Sequence, residues 1–369
     1  MNQTIVSYLS ELFAVNFSPW VVILIFFVAV FVVVNVMALI GGLATYAERK
    51  ISADLQMRIG PNRVGPYGLL QFLADGVKMI TKEDTIPRDA DKFIFALAPL
   101  LCLLGVLATL AVLPFSSGLT LTDLNIGIFY LLGVSSLVGV GIFLGGYASN
   151  SKWAMLGGMR GAAQIISYEI PVTITILSIV LISGSLSLNQ VVERQGAFPN
   201  GWLLFHNPFS FIGFFIYFIG ALAETNRAPF DLPEAESELV SGYHTEYSGM
   251  RFAFFALAEY IEVFVVCAVA TAFFLGGYKI PFNYGAGTLL GQALQVAMFF
   301  AKTFALYYVV IWIRWTLPRL RVDHLMTICW KYLTPIALFN LVGIAMWVWL
   351  FNGRSLYMII KQALVISGK

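Results

Sequence analysis

Long apolar runs separated by short polar breaks make up most of the chain, and their lengths predict helices that cross a membrane. The runs are 19–47, 93–115, 127–148, 168–186, 209–223, 252–277, 289–313 and 335–351, which makes eight spans. A hydrocarbon layer of roughly 30 Å asks for about 20 residues of helix, so the fifth and eighth are short. Between the first two spans lies a polar segment, 51–92, punctuated by Gly60-Pro61-Asn62 and Gly65-Pro66. Inside it, residues 67–82 place Leu69, Leu70, Phe72, Leu73, Val77 and Ile80 to one side of a helix, with Asp75 and Lys78 three positions apart. An amphipathic helix of this kind lies on the membrane surface. In the tail, Leu356, Ile359, Ile360, Ala363 and Leu364 predict a second one. The expected fold is all-α: a polytopic membrane protein whose whole chain, 1–369, forms one integral membrane domain.

Basic residues orient the spans. Arg49, Lys50, Arg58, Arg63, Lys78, Lys82, Arg88 and Lys92 follow the first span, Lys152 and Arg160 the third, and Arg227 and Arg251 the fifth. Arg314, Arg319, Arg321 and Lys331 follow the seventh. The other side holds only Arg194, Lys279, Arg354, Lys361 and Lys369. Both termini are therefore expected outside, with the long loops on the cytoplasmic or matrix face. Residues 1–18 contain no Lys or Arg and so lack the basic start of a secretory signal. The first run is expected to stay as a span.

Composition agrees: hydrophobic residues are 59% of the chain, charged residues 11%, and mean hydropathy is +0.83, which excludes an ordinary soluble domain. The net charge of +2 gives no reason to expect nucleic acid. Cys102, Cys267 and Cys329 are scattered and too few for an iron–sulfur cluster or a zinc site. His206, His244 and His324 lie in or near loops, whereas haem held between spans needs histidines within them. No cofactor is expected in this chain, and any redox reaction draws its electrons from another.

Residues 223–247, AETNRAPFDLPEAESELVSGYHTEY, carry the densest chemistry, with Glu224, Asp231, Glu234, Glu236, Glu238 and Glu246 around one strong base, Arg227. Two carboxylates ~4 Å apart repel by roughly 4 kcal/mol at an effective dielectric of ~20. Keeping a proton between them relieves that repulsion. The stretch reads either as a proton store or as a solvated acidic loop. Asp231 and Glu234 match the N-cap and third position of a helix, which favours order.

Glu259 and Glu262 fall one turn apart inside the next span. An ionisable residue there costs at least ~2.5 kcal/mol and marks an ion or proton path, unless both lie at the hydrated interface. Glu169, beside Pro171, opens the fourth span as part of such a path or as an interfacial acid. Lys302, well inside the seventh, either pairs with one of these acids or snorkels. Arg49, Lys50, Arg58, Arg63 and Arg160 oppose the acids in charge or anchor their loops. Residues 58–66, RIGPNRVGP, read as an ordered loop that closes over something or docks a partner.

AERK at 47–50, RIGPNRVGPYGLLQFLADGVKMITKE at 58–83, LGGMRGAAQIISYE at 156–169, ETNRAPFDLPEAESELVSGYHTEYSGM at 224–250 and WIRWTLPRLR at 312–321 follow one another in order. Together they resemble the quinone-site membrane subunit family of respiratory complex I, the proton-translocating NADH:quinone oxidoreductase. Val322 and His324 stand where that family has Tyr and Gln, and Tyr147 where Trp is common. The resemblance implies eight spans and a surface helix that wall a quinone chamber against an iron–sulfur peripheral arm. Quinone would be the substrate, with FMN and iron–sulfur clusters in partner subunits and other membrane subunits and lipid around the spans.

By position in the family motifs, Glu48, Arg49, Asp75, Arg160 and Arg227 would lie near the quinone chamber. Glu169, Glu224, Glu234, Glu236, Glu238, Glu246, Glu259 and Glu262 would form an acidic proton path. The membrane expected is the bacterial inner membrane. Two other readings compete: a related subunit of a membrane-bound hydrogenase or other-donor complex, and a stand-alone cation/proton transporter. Against the latter, the two halves of the chain show no repeat.

Overall fold

The computed structural model describes residues 19–196, 201–280 and 288–351, with 353, 355, 356 and 358. Its helices are α1 (Pro19–Leu55), α2 (Gln71–Thr81), α3 (Lys92–Thr109), α4 (Gly127–Ala148), α5 (Lys152–Ser183) and α6 (Leu188–Arg194). They continue as α7 (Pro208–Glu224), α8 (Glu236–Leu239), α9 (Gly249–Phe274), α10 (Leu289–Thr316), α11 (Val322–Thr327) and α12 (Thr334–Phe351). A π-helical stretch, Ile328–Leu333, joins α11 to α12, so that Val322–Phe351 runs as one rod. Among the described residues there is no strand, and the protein is an all-α polytopic membrane protein. Seven helices are long and apolar enough to cross a membrane, and the remaining predicted span is α7, with 17 residues.

Several boundaries differ from those expected. The first span was expected to end at Ala47, but α1 continues through Glu48, Arg49 and Lys50 to Leu55. Charge ends an apolar run without ending a helix, because Glu, Arg and Lys are good helix formers. The fourth span starts at Lys152 rather than Tyr168, which puts Glu169 midway along α5 instead of at its mouth. The last helix starts at Val322 rather than Pro335, so Lys331 lies within a helix. No helix starts at Asp231: the nearest is the four-residue α8, with Ala235 before it. The surface helix starts at Gln71, after a turn at Pro66–Gly68, and its Asp75–Lys78 pair forms at 3.6 Å. The predicted tail helix falls largely outside the described residues, as does the 1–18 segment.

Without a hydrophobic drive between helices inside lipid, close packing has to hold the bundle. One core joins α3, α4, α5 and α9 through Phe95, Ile128, Ile176, Phe264 and Phe273. A second joins α5, α7, α10 and α12 through Tyr168, Phe218, Ile311 and Ala337. α1 stands at the edge, with Trp20, Leu24, Phe27 and Phe31 exposed. Its close approaches occur at a glycine pair. A Cβ on Gly41 would meet Leu257 of α9 at 2.8 Å, and one on Gly42 would meet Phe72 of α2 at 2.6 Å. Gly41-Gly42 thus lets a spanning helix and a surface helix dock on α1 at the same level, just before its charged end.

Candidate functional site

Arg227 is the centre of the site. It sits in the turn after α7 and is 1% exposed. Its Nη1 donates to Glu48 Oε2 at 2.7 Å and its Nε to Glu259 Oε1 at 2.9 Å. Glu48 also accepts from Arg314 Nη1 at 2.5 Å, and the Arg227 guanidinium lies 4.2 Å from the centre of the Tyr260 ring. Two acids and two bases from α1, α9, α10 and the loop therefore close a neutral cluster. Burial disfavours the charge on Arg227, but Glu259 and Glu48 outweigh it and raise its pKa above the ordinary arginine value.

The turn that carries Arg227 is fastened from below by Gln164 of α5, a residue without a charge to attract notice. Gln164 is buried, and its Nε2 lies 2.8 Å from the carbonyls of both Ala223 and Phe230 and 3.1 Å from Asn226 Oδ1. Asn226 adopts a left-handed conformation at φ 51, one that Asn tolerates better than most residues.

The acids of the stretch do not crowd one another as the sequence suggested. Asp231 pairs with Arg319 at 2.9 Å, and Glu238 with Arg160 at 2.6 Å. Glu234 Oε1 accepts from the Tyr243 hydroxyl at 3.2 Å and lies 3.5 Å from His244 Nδ1. Bases from α5 and from the segment after α10 have been folded onto the loop, which is why the local count of one base misled. Burial, then Glu259 and Asp231, push the Glu234 carboxyl well above the usual carboxylate range. Glu246 is half-buried in the turn before Tyr247, and Glu236 opens α8 with its side chain outside the described residues.

Glu224 and Glu262 meet elsewhere, in the wall of a cavity of about 40 Å³. Tyr217, Thr109 and Ser135 supply its other polar groups, and Val106, Val138, Ile176 and Val265 its apolar lining. That space accommodates one or a few waters, since one needs about 10–15 Å³ of this measure. Glu169 is within electrostatic reach of Glu224, and Glu262 within reach of both Glu224 and Glu259. Glu259 and Glu262 thus divide: one turn of helix sends the first to the arginine cluster and the second to the cavity.

Arg49 pairs with Asp75 of the surface helix at 2.5 Å. Beside them opens a cavity of about 510 Å³, lined by Arg49, Arg58, Arg63, Gln71 and the Gly60-Pro61-Asn62 turn. The 58–66 loop is ordered around it, as its Gly and Pro content suggested. Among the described residues Lys302 neither pairs with an acid nor snorkels. Its Nζ reaches the carbonyls of Leu275, Gly277 and Lys279 at 2.8, 2.9 and 3.3 Å, beyond the outer end of α9. A helix end leaves carbonyls without intrahelical partners, and the turn through Gly276 and Gly277 gathers this group for one ammonium. Cys102, Cys267 and Cys329 are buried apart, and among the described residues no three His, Cys, Asp or Glu side chains gather as metal ligands.

Such a molecule is a helical membrane protein with a buried acid–base cluster where its loops meet its spans. The chain belongs to the NADH dehydrogenase family, whose model matches residues 21–345. It is 47% identical over 346 residues to an NADH-quinone oxidoreductase subunit of Anaeromyxobacter dehalogenans, covering 90% of this chain and 83% of that relative. It is 49% identical over 311 residues to the NADH-quinone oxidoreductase subunit of the same name in Chlorobaculum tepidum, covering 82% and 86%. With NADH-quinone oxidoreductase subunit 8 of Rhodothermus marinus it shares 47% over 332 residues, covering 87% and 96%.

Proposed function

We propose that this chain is the membrane subunit that walls the quinone chamber of a proton-translocating NADH:quinone oxidoreductase and passes the effect of quinone reduction into the membrane. The observation that carries this is the Arg227 cluster, which ties Glu48 and Glu259 into one charge-balanced unit one helical turn from the Glu224–Glu262 cavity. Family membership and the names of the relatives supply the reaction. Quinone is the substrate. Electrons reach it from NADH through FMN and iron–sulfur clusters held by peripheral-arm subunits, and other membrane subunits and lipid surround the spans. The setting is the inner membrane of a bacterium.

Adding two electrons to a quinone creates negative charge that two protons must meet. Arg49, Arg227 and Arg160 face that charge from the loop side, with Glu48 and Asp75 holding the first two in place. Glu234, Glu236, Glu238 and Glu246 supply and receive protons along the loop. Any change in charge there alters the balance of the Arg227 cluster, and Glu259, Glu262, Glu224 and Glu169 carry the change inward. The cavity between Glu224 and Glu262 gives water a place to bridge them.

The test is Glu224→Gln in the assembled complex, reconstituted in sealed vesicles. Glutamine keeps the shape and hydrogen bonding of the side chain but cannot titrate. Assembly and NADH oxidation by a hydrophilic acceptor should persist while coupled quinone reduction falls markedly. Normal coupled turnover would remove Glu224 from the path.

A further inference from the structure

Glu234 and His244 stand in a relation that the family motifs do not announce. The two residues are held by a short loop whose turn at Gly242 has φ 60, a conformation suited to glycine. The loop returns His244 to Glu234, so that Nδ1 lies 3.5 Å from Oε1. The Tyr243 hydroxyl donates to the same oxygen at 3.2 Å, which fixes the carboxyl group in place. The imidazole is packed between the rings of Phe252 and Tyr243, with centroids 5.3 and 4.9 Å away, and its side chain is only 14% exposed. Resting on the acid-path reading above, we infer that Glu234 and His244 form a dyad sharing one mobile proton, with His244 as the group that takes it from Glu234 and hands it on.

The proton balance is simple. In one form the proton is on Glu234 Oε1 and the imidazole Nδ1 accepts it. In the other the O–H bond has broken, an N–H bond has formed, and a carboxylate faces an imidazolium. The net charge of the pair does not change, so the transfer avoids creating an isolated charge in a buried place. Which form prevails depends on the groups around Glu234. Asp231 of the same loop and Glu259 of α9 disfavour its carboxylate, whereas Arg314 of α10 favours it. Burial keeps His244 neutral, with its pKa lowered to about 4. With Glu259 anionic the proton stays on Glu234. Protonation of Glu259 removes that repulsion and lets the proton cross to His244, which couples the dyad to the Arg227 cluster.

The experiment compares His244→Gln, Glu234→Gln and His244→Ala in the assembled complex. A positioned proton carrier contributes about 100-fold or more to a proton transfer, so coupled quinone reduction should fall at least tenfold in His244→Gln. NADH oxidation by a hydrophilic acceptor should remain. In His244→Ala, added imidazoles should restore part of the rate, and the restoration should follow their basicity, which no merely structural role explains. Normal coupled turnover in His244→Gln overturns the dyad. So does rescue independent of imidazole basicity, or no rescue in an assembled His244→Ala complex. If neither variant assembles, redox-difference infrared spectra of the native complex with ring-labelled histidine decide: no imidazolium signal during turnover overturns the dyad. Should Glu234→Gln itself turn over normally, the acid path does not run through Glu234, and the underlying reading fails at that residue. A slow Glu234→Gln beside a normal His244→Gln leaves the path standing and removes only His244.

Discussion

Arg227 Nη1 donates to Glu48 Oε2 at 2.7 Å, joining residues 179 positions apart in the chain. The bond places the end of the first span and the turn after α7 in one electrostatic unit. Glu259 and Arg314 complete it, so four distant segments share the cost of burying charge.

Removing one partner of a buried ion pair leaves the others uncompensated and costs about 3–5 kcal/mol. Arg227→Met should therefore lower the melting temperature of the purified complex and reduce its assembly. Arg227→Lys should also be weaker than native, because one ammonium does not reproduce a fork that grips Glu48 and Glu259 together. An Arg227→Met complex that melts at the native temperature would show that the cluster is dispensable.

Glu259 and Glu262 should separate by variant. Glu259→Gln weakens the hydrogen bond from Arg227 Nε and should lower both stability and coupled turnover. Glu262→Gln leaves that bond in place and should lower coupled turnover with little change in melting temperature. Identical behaviour of the two in paired stability and vesicle assays would contradict the division between cluster and cavity.

The Arg49–Asp75 tie fixes the surface helix to α1. Burial acts to raise the Asp75 carboxyl, but hydrogen bonds from Arg49 and Gln71 and the charges of Arg49 and Lys78 hold it below the ordinary carboxylate value. With a depressed folded-state pKa, the tie contributes fully above the unfolded value of about 3.9 and is lost as pH falls through the lower folded value. Docking of α2 should thus be insensitive to pH in the neutral range. Asp75→Asn should mimic acid, raising the KM for quinone several-fold while hydrophilic-acceptor reduction is unchanged; an unchanged KM argues against α2 as part of the chamber wall.

Lys302 holds the turn beyond α9 through three carbonyls and lies 5.3 Å from the centre of the Trp202 ring. Lys302→Met should destabilise the complex, because the carbonyls lose a charged donor inside the bundle, where each unmet polar group costs about 1–3 kcal/mol. Its effect on turnover should track its effect on melting. Loss of turnover at native stability would instead make Lys302 a proton carrier.

The sequence alone determined the membrane, the spans and the list of charged groups. Apolar runs must cross lipid as helices, because backbone groups find no water there, so a one-dimensional pattern suffices. The family motifs at 47–50, 58–83 and 224–250 likewise pick out Glu48, Arg49, Asp75 and Arg227 without a structure. Helix ends were less legible: α1 and α5 extend past their apolar runs because charged residues and buried Gln164 continue a helix as readily as leucine does. Only the tertiary structure decided which acid meets which base. Arg314 reaches Glu48, Arg319 reaches Asp231 and Arg160 reaches Glu238 from segments remote in the chain. A loop with one base of its own is neutralised by others that no local count contains, since an ion pair depends on distance in space and the order of residues does not encode it.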